Sequence, residues 1–152
     1  MSKFGLSQPV RRLEDPRLLR GEGRFIDEDA PEGALHAVFF RSPAAHARLG
    51  SLDVTQAAAL PGVVAVLTAA DLEGMENAVD FSTVTNQDGT EGAAPRRPIL
   101  AEDRVRYAGE AIALVLAETR EAALDAAEAI ACDFDDLPVH VETRVGGPAI
   151  HP

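Results

Sequence analysis

Seven consecutive apolar residues, Ala111-Ile-Ala-Leu-Val-Leu-Ala117, constrain this chain more than any other stretch. A half-solvated strand alternates apolar with polar residues, so an unbroken apolar run predicts a strand covered on both faces. Thr119 follows as a good N-cap, and Glu121 sits at the positive end of the helix it would open. Ala123, Ala127 and Ile130, with Leu124 alongside, recur at helical spacing and predict a helix over 119–130. Cys132-Asp-Phe-Asp135 then returns to alternation and predicts a strand over 131–135, stopped at Leu137-Pro138.

A similar order precedes this unit. Leu35-His-Ala-Val-Phe-Phe-Arg41 is rich in β-formers and ends at Ser42-Pro43, which predicts a strand. Asp53 can cap a short helix through 56–60, stopped by Pro61-Gly62. Val63-Val-Ala-Val-Leu-Thr68 predicts a further strand, and Thr68-Ala-Ala-Asp71 fits a capping box that opens one more helical turn. Two strand–helix–strand units in the same order point to an α+β (mixed α/β) domain, with helices packed on a mixed sheet. Between the units, 73–97 holds Asn86-Gln-Asp-Gly89, Gly92 and Pro95 with no sustained period. A loop of that length inside a compact domain either covers something or is mobile.

The remaining chain divides by composition. Residues 1–33 read as an extended N-terminal arm, in which a short apolar patch at Leu18 and Leu19 is followed by Gly21 and Gly23, residues that break helices. The α/β domain spans 34–144, and Val145-Gly-Gly-Pro148 opens a C-terminal linker over 145–152. One domain is the natural reading of 152 residues. Ala, Val and Leu dominate the 46% hydrophobic fraction, Trp is absent and Tyr occurs once, so helices can pack closely on the sheet.

Charge is both negative and uneven. The formal net charge of −11 disfavours nonspecific binding to nucleic acid or to an anionic membrane. Yet six of the 14 cations (Lys3, Arg11, Arg12, Arg17, Arg20 and Arg24) fall in the first 24 residues, against three acids. From Tyr107 onward nine acids face only Arg120 and Arg144. Such an arm either crosses its own acidic domain or docks on a partner chain, which makes Arg11, Arg12, Arg17, Arg20 and Arg24 candidate subunit contacts. Cys132 is the only cysteine, so neither an internal disulfide nor a thiolate cluster can form within the chain. The N-terminus lacks a signal-peptide pattern, and no apolar run approaches the roughly 20 residues needed to cross a bilayer. A cytoplasmic location is the expectation.

No catalytic constellation emerges from the residues. His36, His46, His140 and His151 form no H-x-x-H, H-E-x-x-H or Cys/His pattern. His36 reads as a strand residue, and His46, between Arg41 and Arg48, as a structural loop contact. Ser42 precedes a proline without the glycines of a nucleophile elbow. Cys132 lies beside Asp133, Asp135 and Asp136, whose charges oppose thiolate formation. Gly5 and Gly21-Glu-Gly23 precede no strand-to-helix phosphate loop. The pairs Glu14/Asp15, Glu102/Asp103 and Asp135/Asp136 are adjacent in sequence, so their side chains diverge on either kind of element. No metal, cofactor or catalytic residue is therefore expected in this chain.

Several segments, in order, resemble the large subunits of the molybdenum hydroxylases: xanthine dehydrogenase, aldehyde oxidase and aerobic carbon monoxide dehydrogenase. They are Arg12-Leu-Glu-Asp-Pro-Arg-Leu-Leu-Arg-Gly-Glu-Gly-Arg-Phe-Ile-Asp27 and Leu35-His36 with Arg41-Ser-Pro-Ala-Ala-His-Ala-Arg48. Leu60-Pro-Gly-Val-Val-Ala-Val-Leu-Thr-Ala-Ala-Asp-Leu72 and Pro98-Ile-Leu-Ala-Glu-Asp-Arg-Val-Arg-Tyr-Ala-Gly-Glu110 follow. Ala117-Glu-Thr-Arg-Glu-Ala-Ala-Leu-Asp-Ala-Ala-Glu128 and Asp133-Phe-Asp-Asp-Leu-Pro138 complete the match. Relatives commonly carry a larger residue than Ala108, and they differ freely around 86–95.

The resemblance implies the α/β hammerhead fold of the N-terminal domain. It further implies a complete enzyme that hydroxylates a purine, an aldehyde, a heterocycle or carbon monoxide. That enzyme holds molybdopterin, often as its cytosine dinucleotide, and passes electrons through [2Fe-2S] clusters to FAD. The implied partners are the molybdopterin-binding remainder of the large subunit and the iron–sulfur and FAD subunits or domains. The family's cofactor loops and catalytic glutamate lie downstream of this domain, so the isolated chain is expected to be inactive. A non-catalytic interaction module reusing the fold is the alternative; a self-contained acid–base hydrolase has no suitable pair of groups.

Overall fold

The computed structural model describes residues 12–25, 29–72, 74–75, 85–92, 97–142 and 150. The chain divides into two compact units, Met1–Ala34 and Leu35–Pro152.

In the larger unit, six strands form two three-stranded sheets. Strands β1 (His36–Arg41), β3 (Val63–Thr68) and β5 (Ala111–Ala117) make the first sheet, in the order β1-β5-β3. Strands β2 (Ala47–Asp53), β4 (Arg104–Val105) and β6 (Ala131–Asp136) make the second, in the order β4-β2-β6. Helix α1 (Asp15–Leu19) belongs to the smaller unit, while α2 (Thr55–Ala58) and α3 (Arg120–Glu128) belong to the larger one. The α+β class is met. The expected mixed sheet is not: all four strand pairings are antiparallel.

The reason lies in the connections. Strand β2, in a stretch to which the sequence pattern assigns no element, inserts between β1 and α2. The two strand–helix–strand units are thus β2-α2-β3 and β5-α3-β6, and each crosses from one sheet to the other. Running in opposite senses, they interlock: β2 pairs with β6 and β3 pairs with β5. Parallel pairing needs a crossover that returns to its own sheet, which neither helix makes.

Small side chains let the layers approach. Ala57 of α2, Ala113, Val115 and Ala117 of β5, and Ala123, Ala126 and Ala127 of α3 form one core with Ile130. Leu124, expected beside that face, is exposed, and Ala126 takes the inward place. Thr119 caps α3, its hydroxyl accepting from the Ala122 N–H at 3.1 Å. A second core holds Ala47, Ala101, Val105 and Ile112. Phe40 and Leu52 pack against both.

Only half of the expected capping box forms: the Asp71 carboxylate reaches back to Thr68, but the Thr68 hydroxyl donates to it and does not accept from the Asp71 N–H. The Asp71 carboxylate accepts from the Thr68 N–H at 2.7 Å and the Thr68 hydroxyl at 2.9 Å, and opens a 3₁₀ turn over Ala69–Leu72. Asp53 accepts from the Thr55 N–H at 2.9 Å, ahead of the short α2. Within 73–97, Thr85 and Glu91 form an isolated antiparallel bridge around a turn in which Asn86 N–H donates to Thr90 O. The rest of that region beyond Gly74, Met75, Gly92 and Arg97 lies outside the described residues, as does the expected linker over 145–152 apart from Ile150.

Candidate interaction site on the basic arm

The arm is more structured than its glycines suggest. Pro16 falls in the first turn of α1, where its missing N–H costs nothing. Gly21 closes the helix in the left-handed conformation, at φ 73°. Its N–H donates to Leu18 O at 3.1 Å and that of Glu22 to Arg17 O at 3.0 Å, the paired bonds of a Schellman cap. Gly23 sits where a Cβ would meet Leu18 Cδ2 at 2.9 Å, so the chain folds back along the helix. The glycines therefore end a five-residue helix that sequence periodicity is too short to reveal.

This scaffold holds four of the five arginines singled out in the sequence; Arg11 lies outside the described residues. Arg20 approaches Glu22 at 3.6 Å, and Arg24 approaches Asp29 at 3.7 Å. All four side chains are largely in water, so each pair contributes about 0–1 kcal/mol. Arg12 and Arg17 form no ion pair among the described residues. Leu13 is fully exposed and Leu19 nearly so, and α1 buries no residue. Cations interleaved with uncovered apolar side chains suit a contact surface, with no group able to do chemistry.

Elsewhere the titratable groups are structural. His36 is exposed on β1 and His140 is half-buried, while His151 lies outside the described residues. His46 Nδ1–H donates to the Pro138 carbonyl at 2.8 Å and ties the 43–46 turn to the segment after β6. Ser42 is buried; its hydroxyl donates to Ala44 O at 2.8 Å and accepts from Ala44 N–H at 3.1 Å. Burial, and then the Asp133 charge, push the Cys132 thiol above its ordinary range, away from a reactive thiolate. Asp133 itself accepts from the Ser51 hydroxyl at 2.5 Å, and Asp135 and Asp136 are exposed.

One buried acid escapes a reading of the sequence. Glu110 is only 8% exposed, and its Oε2 accepts from the Arg106 N–H at 2.5 Å. Its carbonyl accepts from Ser42 N–H at 2.9 Å, Gly109 N–H donates to Ser42 O at 2.8 Å, and Arg41 donates to Gly109 O at 2.9 Å. These bonds lock the 106–110 turn to the end of β1. Its signal is the Gly-Glu pair directly before the apolar run, with Gly109 at φ 89°.

Among the described residues no three His, Cys, Asp or Glu side chains converge to hold a metal. A recess beside the 3₁₀ turn is lined by Leu72, Met75, Ile99 and Leu100 with Glu102.

Comparison with known proteins agrees with this geometry. Residues 20–138 match the family described as aldehyde oxidase and xanthine dehydrogenase, a/b hammerhead domain. The chain is 40% identical over 146 residues to the nicotine 6-hydroxylase large subunit of Paenarthrobacter nicotinovorans, covering 94% of this chain and 17% of that one. It is 38% identical to the carbon monoxide dehydrogenase large chain of Afipia carboxidovorans, covering 91% and 16%. Among solved structures, quinoline 2-oxidoreductase from Pseudomonas putida 86 superposes with a TM-score of 0.74 at 39% identity, over 85% of this chain and 16% of that chain. The chain thus spans about one-sixth of the length of the curated relatives it matches.

Proposed function

The chain belongs to the aldehyde oxidase and xanthine dehydrogenase a/b hammerhead domain family, and from that premise we propose that it is the structural and assembly domain of a molybdenum-cofactor hydroxylase large subunit. The observation that carries this reading is one of proportion: nearly all of this chain corresponds to one-sixth of subunits named for hydroxylase and dehydrogenase activities. In this reading 1–33 is a docking arm, 34–144 the hammerhead domain and 145–152 the linker toward the molybdopterin-binding remainder. The substrate is a purine, an aldehyde, a heterocycle or carbon monoxide. When bound in the remainder, molybdopterin supplies the hydroxylation chemistry, and [2Fe-2S] and FAD partners take the electrons. No step of that reaction is assigned to a residue of this chain, and the assembled enzyme is placed in the cytoplasm. Among the described residues no helix is long and apolar enough to cross a membrane.

The arm's part is to hold a partner through Arg12, Arg17, Arg20 and Arg24, with Arg11 as the fifth contact. Its support is the arginines' exposure beside uncovered Leu13 and Leu19. Retrieval with a tagged chain tests both parts of the proposal. The chain is expected to bring down a complex containing molybdenum and iron, and deletion of residues 1–24 is expected to reduce its recovery. Retrieval of metal-free partners alone contradicts the assembly reading. Undiminished recovery after the deletion contradicts the role of the arm.

A further inference from the structure

Among the described residues the first sheet has two apolar faces and only one cover. On the side facing α3, Ala113, Val115 and Ala117 are fully buried. On the other side Leu114 and Leu116 are only half-buried, although β5 is the central strand. The register sets Phe39 and Leu67 on either side of Leu114, and Ala37 and Ala65 on either side of Leu116. Phe39 is 41% exposed. None of these six side chains belongs to either core of the domain. The charged residue beside them, Arg41, is already engaged: its guanidinium lies 5.0 Å from the centre of the Phe39 ring and donates to Gly109 O.

An antiparallel sheet with one face in water normally carries polar residues on that face. This one presents six apolar residues across three adjacent strands, the signature of a face that another surface covers. The continuous run in β5 calls for two covers, and α3 supplies one. In the relatives about five-sixths of the chain lies outside this domain. We propose that the open face of the β1-β5-β3 sheet is the surface on which the cofactor-bearing remainder of the large subunit packs, through an apolar patch of its own. The proposal rests on the assembly reading above and names the surface by which assembly occurs.

Thiol protection tests it. In a Cys132→Ser background, Phe39→Cys and, separately, Leu67→Cys place a reporter on the face; Asp135→Cys, on the outer side of the second sheet, is the control. Maleimide labelling is followed for the free chain and after mixing with the separately produced molybdopterin-binding remainder of the same enzyme. Both face reporters are expected to label roughly tenfold or more slowly in the complex, because burial removes the reagent's access, while the control is unchanged. A complex that forms with both face reporters still labelling at the free rate overturns the proposal and leaves the assembly reading standing. Protection already present in the free chain also overturns it. If that protection grows with protein concentration the cover is a second copy, and otherwise it is another segment of this chain. Failure of the unsubstituted chain to form any complex overturns the assembly reading, and this proposal with it.

Discussion

The two sheets are the same size and are made by the same pair of crossing units, yet they treat water differently. In the second sheet β6 alternates: Cys132 and Phe134 turn inward, while Asp133 and Asp135 face solvent. Its neighbour β2 likewise exposes Arg48, Gly50, Ser51 and Asp53. In the first sheet β5 offers no polar residue, and its uncovered face stays apolar. The second sheet is complete within this chain, and the first is built to meet something more. The contrast shows where a domain ends energetically, which differs from where its hydrogen-bonded strands end.

The largest effect should come from the point where one strand serves both cores. Ile112 is fully buried in the second core, and Ile112→Ala is expected to destabilise the free chain by about 2–5 kcal/mol in urea unfolding. Leu116→Ala, four residues along the same strand on the open face, should cost less than Ile112→Ala, since part of its surface is already in water. Equal losses at the two positions would break the contrast between covered and open faces.

The covered face can be probed by overfilling it. Ala126 of α3 is fully buried against the first sheet, and Ala126→Leu is expected to cost about 1–3 kcal/mol. Leu124→Ala, on the exposed side of the same helix, should change stability by less than about 1 kcal/mol. Thr119→Ala removes the cap at the start of the crossing from first sheet to second, for a loss of about 1 kcal/mol.

The smallest effect is one of pH. The Thr55 hydroxyl and amide hold the Asp53 carboxyl below its ordinary range. The amide and hydroxyl of Thr68 do the same for Asp71, and the hydroxyl and amide of Thr90 for Asp88. A carboxyl depressed in the folded state contributes stability above its unfolded value, about 3.9, and loses it as pH falls through the folded value. Thermal melts should therefore weaken slightly on the acid side, and Asp71→Asn should flatten part of that slope. A melting temperature that rises on acidification would contradict these bonds.

Much of the β5-α3-β6 unit was legible because its signals are strong and local. The apolar run, the Thr119 cap and the alanine spacing mark β5 and α3, and the alternation in 131–135 marks β6. Strand β2 was hidden for a physical reason. Its pairing with β6 slips between Leu49 and Leu52, so the period of two breaks inside the strand. Gly50 stands at that slip, where a Cβ would lie 3.0 Å from Asp133 Cβ. With β2 unseen, the crossing of each helix between sheets was unseen as well, and a mixed sheet followed. Glu110 was hidden differently, because glutamate is almost always exposed and the Gly-Glu pair before the apolar run is its one local mark. At the arm, charge asymmetry identified the arginines. The short helix among them, which carries Arg17, needed the Schellman bonds to be recognised.

In the proposed reading this chain contributes assembly, and the remainder of the enzyme contributes the cofactor. The most direct measurement is the molybdenum content and hydroxylase activity of the purified chain, alone and after recombination with that remainder. Neither is expected in the chain alone, and both in the recombined complex. Stoichiometric cofactor, or turnover of a purine, an aldehyde, a heterocycle or carbon monoxide by the chain alone, would contradict it.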